Sequence, residues 1–430
     1  MAVLHASSRD ATDQAEPLTV AAAYARSHRA ALADSQIGAV GLEVETHLVD
    51  LDLVAGPLPW GRVEPLLQIV GNVAAHSSVS LEPGGQLELS GLPARDVMTA
   101  VTELRHDVVS ARLALTELGL GVAHAGADPL RPARRINPRP RYQAMEQHFA
   151  ATGRAAPGAA MMNSTAALQV NLQAGPPSGW AERVSRAHRL GPTLVAISAN
   201  SPWLSGRPTG WKSARQRAWA GLDARSCGPV PGCLVPAASG PAPDPASAWA
   251  RFALHAPVIF VRTGGTKVAA VGAAVPFGRW ASGAVRLGGR LPTAADLDEH
   301  LTTLFPPVRL RGYLELRYLD ITPPRWWPAI AAVVTTLMDD PVAADLATEA
   351  TEQAAERWAI AARDGLRDRV LAASARRCIE IAAGRVAAEL VPAVADLAEL
   401  IDSGRCPGDL LAERIAEIGP DAALEELAHA

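Results

Sequence analysis

Four stretches of this chain share one alternation, apolar at every second residue with acid, amide or arginine between. The clearest is Val79-Ser80-Leu81-Glu82-Pro83-Gly84-Gly85-Gln86-Leu87-Glu88-Leu89-Ser90-Gly91. Its Pro-Gly-Gly turn leads into a strand with Gln86 and Glu88 on one face and Leu87 and Leu89 on the other, because successive strand side chains point to opposite faces. Ile37 to Leu48 repeats the pattern and aligns Glu43 with Glu45. Met161 to Gln173 sets Thr165, Ala167, Gln169, Asn171 and Gln173 against Ala166, Leu168, Val170 and Leu172. In Gly312 to Tyr318, Glu315 and Arg317 share a face, with Arg311 and Tyr313 in line. A sheet of such strands must cover its leucine face and gather its acids on the other.

Each strand taken alone reads as half-solvated, the ordinary reason for alternation. Taken together, they argue for an internal polar face. Like carboxylates on one strand face repel one another unless a cation sits between them. A hard divalent ion with oxygen ligands resolves that repulsion, so the pattern is the raw material of a magnesium–nucleotide site. The Pro-Gly-Gly turn aims Glu82 and Glu88 toward a common point. Gln169 and Asn171 offer both donors and acceptors, which suits the ammonium and carboxylate of an amino acid.

The remaining chain reads as helix at 19–33 and 94–119, the latter with a stripe of Val97, Val101, Leu104, Val108, Leu113 and Leu115. Further helix is expected at 180–199 and throughout the Ala-rich stretch after Arg325, and strands at 257–262, 268–275 and 312–319. Residues 1–16 read as a disordered leader, 17–325 as an α+β core and 326–430 as a helical region packed on it. The Pro/Ala/Gly-rich segment 228–248 reads as a mobile loop. Strands and helices mix without regular βαβ alternation, which predicts an α+β fold with a mainly antiparallel sheet.

Several classes are excluded. A net charge of -4 leaves no electrostatic footprint for nucleic acid or anionic membrane. The arginines of 131–141 are accompanied by a single aromatic, Tyr142, and read better as carboxylate or phosphate clamps than as a base-stacking surface. Cys227, Cys233, Cys378 and Cys406 form no CxxC pair, and the start has no secretory pattern, so a reducing cytoplasm is expected. The apolar run Ala329–Met338 falls far short of the ~20 residues that span a bilayer. No GxGxxG, Walker A loop, GxSxG elbow or HExxH pair is present. Oligomeric state leaves no signal.

Further motifs extend the pattern: Arg141-Tyr142 with Met145, Ala199-Asn200-Ser201-Pro202, Gly206 to Gly210 with Ser213, Arg215 and Trp219, and His300 to Pro306 with Val308-Arg309-Leu310. With the four strands, in this order over about 37–320, the chain resembles the glutamate–cysteine ligases that include the plant-type enzymes and an actinobacterial branch. It departs from the plant enzymes in lacking a matching redox cysteine pair and a plastid transit peptide, and its helices after Pro328 are only loosely similar.

The resemblance implies a glutamine-synthetase-like fold, a curved antiparallel sheet forming a funnel with helices outside. It implies ATP- and Mg2+- (or Mn2+-) dependent joining of glutamate to cysteine, in the actinobacterial branch for ergothioneine synthesis. Under it, Glu43, Glu45, Glu82, Glu88 and Glu315 are expected metal ligands, supported by Gln86. Arg215 and Arg317 are expected at the glutamate carboxylate or the transferring phosphoryl. Thr165, Gln169 and Asn171 are expected at the amino-acid end, and Arg141, Tyr142 and Met145 in a loop closing over substrate. A related ligase using another amine, a non-catalytic amino-acid-binding protein and a metal-dependent hydrolase are the competing readings.

Overall fold

The computed structural model describes residues 16–233 and 244–429. The expected leader therefore falls outside the described residues except for Glu16, as does 234–243 of the expected loop. That loop ends earlier than its composition predicts, because Asp244 caps a helix at Pro245–His255 by accepting from the backbone N–H groups of Ala246 and Ser247.

Seven strands form the main sheet. They are β1 (Val40–Asp50), β2 (Ser77–Leu81), β3 (Leu87–Gly91), β4 (Leu120–Ala123), β5 (Ala167–Gln173), β6 (Val308–Leu310) and β7 (Tyr313–Asp320). Their order is β6-β7-β5-β1-β3-β2, with β4 paired to the second half of β1, and every pairing is antiparallel. The α+β class with an antiparallel sheet is the fold expected from the mixed order of strands and helices.

The two faces of the sheet divide as the residues dictate. Leu42, Val44, Leu87, Leu89, Leu168, Val170, Leu172, Leu314 and Leu316 are all buried and belong to one contiguous core. Among the helices that contribute to that core are Val97–Thr116, Trp180–Ser198 and Trp327–Asp339. The last holds the run Ala329–Met338, and every residue from Trp327 to Met338 is buried. Its continuous apolarity is therefore that of a core helix, each large side chain contributing roughly 1.5–3 kcal/mol on burial. Among the described residues no helix is long and apolar enough to cross a membrane.

Two local expectations are corrected. Met161–Ser164 is not strand; it ends the helix Ala155–Ser164, and the chain turns extended only at Thr165. In Val97–Thr116 the inner face carries Ala100, Asp107 and Ala111 beside Val101, Leu104, Val108 and Leu115, while Leu113 is 60% exposed. Leu113 lies two residues from both Ala111 and Leu115, roughly 200° around the helix from each, so it cannot share their face.

Candidate active site

The antiparallel register lays the polar residues across neighbouring strands. Glu88 of β3 lies opposite Glu45 of β1, and Glu43 opposite Gln169 of β5. Asn171 lies opposite Glu315 of β7, which lies opposite Arg309 of β6. These strands floor a cavity of about 330 Å3 whose walls include Glu43, Glu45, Glu82, Gln86, Glu88, Gln169, Arg215, Glu315 and Arg317. A smaller cavity of about 160 Å3 adjoins the Gly84-Gly85 turn and lacks these acids, Gln86 being the one site residue it shares.

Three of the carboxylates, those of Glu43, Glu45 and Glu88, are held from the sheet. Asn171 Nδ2 donates to Glu43 at 2.7 Å, and Gln169 Nε2 and the Ala167 N–H donate to Glu45 at 2.9 and 2.8 Å. Ser90 Oγ donates to Glu88 at 2.6 Å. Glu82 sits on the turn between β2 and β3, which closes through the Gly85 N–H to the Glu82 carbonyl at 2.9 Å. Gly85 has φ +86°, and a Cβ on Gly84 would lie 2.1 Å from the Asn163 carbonyl oxygen, so backbone meets backbone there. Gly84→Ala is expected to displace the turn and cost about 1–3 kcal/mol, read as a lower denaturation midpoint together with weakened Mg2+ dependence of turnover. A variant with unchanged midpoint and metal dependence would show that the turn does not place Glu82.

Electrostatics divide the five glutamates. Burial first, then repulsion from Glu88 and Glu315, raises the Glu43 pKa to about 7, against Asn171 and Arg317. Burial and Glu88 raise Glu45 to about 7, against Arg215 and Arg317. Glu82 is pushed well above its ordinary value by burial and by Glu88 and Glu45. Glu315 is the reverse. Burial opposes its charge, but Arg317, Arg309 and Arg311 outweigh burial and hold it at about 2. Arg309 grips it through both Nε and Nη2, the latter at 2.8 Å, and Arg317 Nη1 lies 3.2 Å away. As a fifth metal ligand Glu315 is therefore already occupied by arginine.

The raised carboxyls have a consequence for metal-free protein. Between the ordinary value of 4.5 and about 7, the folded chain holds more protons on Glu43 and Glu45 than the unfolded chain does. Stability then falls as pH rises through that window. A divalent cation that neutralises the acids offsets the loss, so Mg2+ is expected to raise Tm by several degrees more at about pH 8 than at about pH 5. Equal increments at the two pH values would show that these acids do not hold the ion.

Two arginines face the acids. Arg317 Nη1 donates to Gln169 Oε1 at 2.7 Å, and its pKa is raised because Glu315, Glu45 and Glu43 overcome a larger desolvation effect. Arg215 Nη2 donates to the Arg317 carbonyl at 2.6 Å, and burial lowers its pKa against Asp320 and Glu45. Arg215 Nε and Nη1 and Arg317 Nε are buried donors without a hydrogen-bond partner. A buried guanidinium N–H left in that state is costly, and an anion in the cavity would satisfy it.

The other expected residues separate by position. Arg141, Tyr142 and Met145 line the cavity from the helix Pro140–Ala151, so they sit on a helix rather than a loop. Arg141 Nη2 reaches Thr302 Oγ1 at 3.4 Å, and burial pushes the Tyr142 pKa up to about 12. Thr165 lines the cavity, but its hydroxyl donates to the Met161 carbonyl at 2.6 Å. Its own carbonyl accepts from Gln86 Nε2 at 2.9 Å, so Gln86, in the cavity wall beside the acids, has its amide nitrogen tied to the backbone. Asn171 supports Glu43 and is not in the cavity wall. Of the arginines flanking Pro140, Arg139 is exposed and outside the wall. All four cysteines are buried and free.

Two positions that support residues of the cavity had no assigned role in the sequence. Arg309 stands alone between Val308 and Leu310, and only the hairpin register brings it to Glu315. Asp320, buried at the end of β7, accepts from Ser201 Oγ at 2.6 Å, Ser213 Oγ at 2.9 Å and the Asn200 N–H at 3.0 Å. It lies 3.8 Å from Arg215 Nη1 and fixes that side chain from behind. The signal was present in the Asn200-Ser201 and Ser213 motifs, which lacked a visible acidic partner.

The site is thus an antiparallel sheet backed by helices, with acids and arginines on the face that floors the cavity. The fold is similar to the crystal structure of glutamate–cysteine ligase from Francisella tularensis in complex with AMP, at a TM-score of 0.51 and 12% identity, covering 92% of this chain and 88% of that one. Residues 39–428 match glutamate-cysteine ligase family 2, and the chain belongs to that family. It is 50% identical to the glutamate–cysteine ligase EgtA of Mycobacterium tuberculosis over 93% of this chain and 91% of the relative. The EgtA of Mycolicibacterium smegmatis is 49% identical over 92% of each chain. The chloroplastic glutamate–cysteine ligase of Arabidopsis thaliana is 30% identical over 74% of this chain and 59% of its own.

Proposed function

We propose that this chain joins the γ-carboxylate of L-glutamate to the amine of L-cysteine at the expense of ATP, giving γ-glutamylcysteine, ADP and phosphate. The observation that carries this is a cavity whose walls hold four half-buried carboxylates together with Arg215 and Arg317. The 50% identity to EgtA enzymes supports the choice of glutamate and cysteine, and ergothioneine synthesis in the cytoplasm is the assignment that follows from that likeness.

The chemistry needs what the cavity holds. A γ-carboxylate acylates poorly, so its oxygen first takes the γ-phosphoryl of ATP and ADP leaves; the cysteine nitrogen then attacks the acyl carbon, and phosphate leaves as the amine sheds a proton. Glu43, Glu45, Glu82 and Glu88 are hard oxygen donors whose mutual repulsion a divalent cation would relieve, so the set fits Mg2+ or Mn2+. When bound, the metal neutralises charge on the phosphate oxygens. Arg317 and Arg215, which line the cavity, hold the anion in transfer, and Gln169 ties Arg317 to Glu45 so that cation and anion holders keep one geometry. Glu315, in this assignment, keeps Arg309 and Arg317 in place. Thr165, Arg141, Tyr142 and Met145 form the wall left for the amino acids. Holding acyl phosphate and amine together away from water supplies on the order of 7–11 kcal/mol of the barrier reduction.

The test is ADP release from ATP, Mg2+ and glutamate with and without cysteine, followed by mass detection of the dipeptide. ADP with γ-glutamylcysteine only in the complete mixture supports the ligase. ADP with another amine but not with cysteine keeps the mechanism and replaces the substrate. Absence of ADP in every mixture removes the proposal, and substrate cleavage without ATP would favour a hydrolase.

A further inference from the structure

The buried Asp107, which interrupts the apolar face of Val97–Thr116, belongs to a cluster outside the catalytic cavity. Its two oxygens accept the Ala75 and His76 N–H groups at 3.0 and 2.9 Å. Those bonds fix the carboxylate and set the His76 side chain beside it. His106, the preceding residue of the helix, brings Nδ1 to 3.3 Å from Asp107 Oδ1. The two imidazoles meet edge-on with centroids 5.8 Å apart. One donor atom from each of the three residues lies within 4.8 Å of the other two, and among the described residues this is the one such group of three.

A backbone clamp accounts for Asp107 alone; it does not account for two imidazoles converging on the same carboxylate. We propose that His76, His106 and Asp107 form a binding site for a transition-metal ion of the zinc class, with its fourth position open to water. Two nitrogens and one carboxylate oxygen are a common donor set for such ions, held at about 2.0–2.2 Å. The donors must draw closer for that, and His106, whose side chain is 60% exposed, has room to rotate inward. Imidazole favours zinc-class ions, whereas carboxylates alone suit magnesium, so donor chemistry separates this site from the acidic cavity. The Leu92 N–H donates to the His76 carbonyl at 2.9 Å just beyond β3. A bound ion would therefore pin the open end of the β2–β3 hairpin, whose other end carries Glu82.

The test is Co2+ titration of the full chain in excess Mg2+, which occupies the acidic cavity, with the visible absorption of imidazole-bound Co2+ as the readout. The proposal expects one Co2+ per chain, displaced by Zn2+, and at least ~10-fold weaker binding in His106→Ala and in His76→Ala. Glu88→Gln should retain the signal. Zn2+ should also raise the Tm of the parent protein and not that of His106→Ala. Unchanged Co2+ affinity in both histidine variants, or loss of the signal in Glu88→Gln instead, would overturn it, as would absence of a Co2+ spectrum in the parent.

Discussion

Glu88→Gln is expected to lower Mg2+-dependent kcat/KM by about 10²–10³-fold while making the metal-free protein more stable. Glu88 is the one charge that pushes on Glu43, Glu45 and Glu82 alike. Removing it relieves three half-buried carboxyls together and would leave the proposed cation short of an oxygen. The amide keeps the shape and still accepts the hydrogen bond from Ser90 Oγ, now held at 2.6 Å. The variant should therefore fold, melt higher than the parent in chelator at about pH 8, and gain less Tm from Mg2+. Near-normal turnover would remove Glu88 from the metal shell. A lower Tm in chelator would show that it stabilises the fold by some route other than charge.

Arg317→Ala is expected to cost about 10²–10³-fold in kcat, and Arg317→Lys should recover little of it. The guanidinium bridges Gln169 Oε1 at 2.7 Å and Glu315 at 3.2 Å and still carries a buried Nε without a partner. Both contacts come from Nη1, and a lysine ammonium, a compact point charge, cannot add the separate planar Nε donor to them. Glu315 keeps Arg309 in either variant, so the sheet should remain folded, which circular dichroism would check. Steady-state kinetics in which lysine comes within about fivefold of the parent would show that charge alone suffices and that the fork geometry is idle.

Much of the site's floor was readable from alternation, because strand period alone puts Glu43 with Glu45 and separates Glu88 from Leu87 and Leu89. Pairing across strands is what alternation cannot supply. Gln169 and Asn171 look like substrate contacts in the sequence, yet in the sheet their amide nitrogens are spent on Glu45 and Glu43. Glu315 reads like its fellow acids until Arg309, six residues upstream, is folded onto it by the turn at Gly312. Asp107 was hidden for the opposite reason. Its helix stripe counts apolar residues, and a buried carboxylate satisfied by backbone N–H groups leaves no trace in that count.

The register that lines up the acids also guards against misassembly. Strand pairing can slip by one residue, and in a polar, two-sided sheet such errors cost little. Here a one-residue slip of β1 would turn Glu43 and Glu45 into the leucine layer and Leu42 and Val44 out toward the cavity. The residues proposed to hold the metal thereby act as proofreaders of the chain's own folding. A copy that can bury its sheet at all has already aligned the floor of the proposed site.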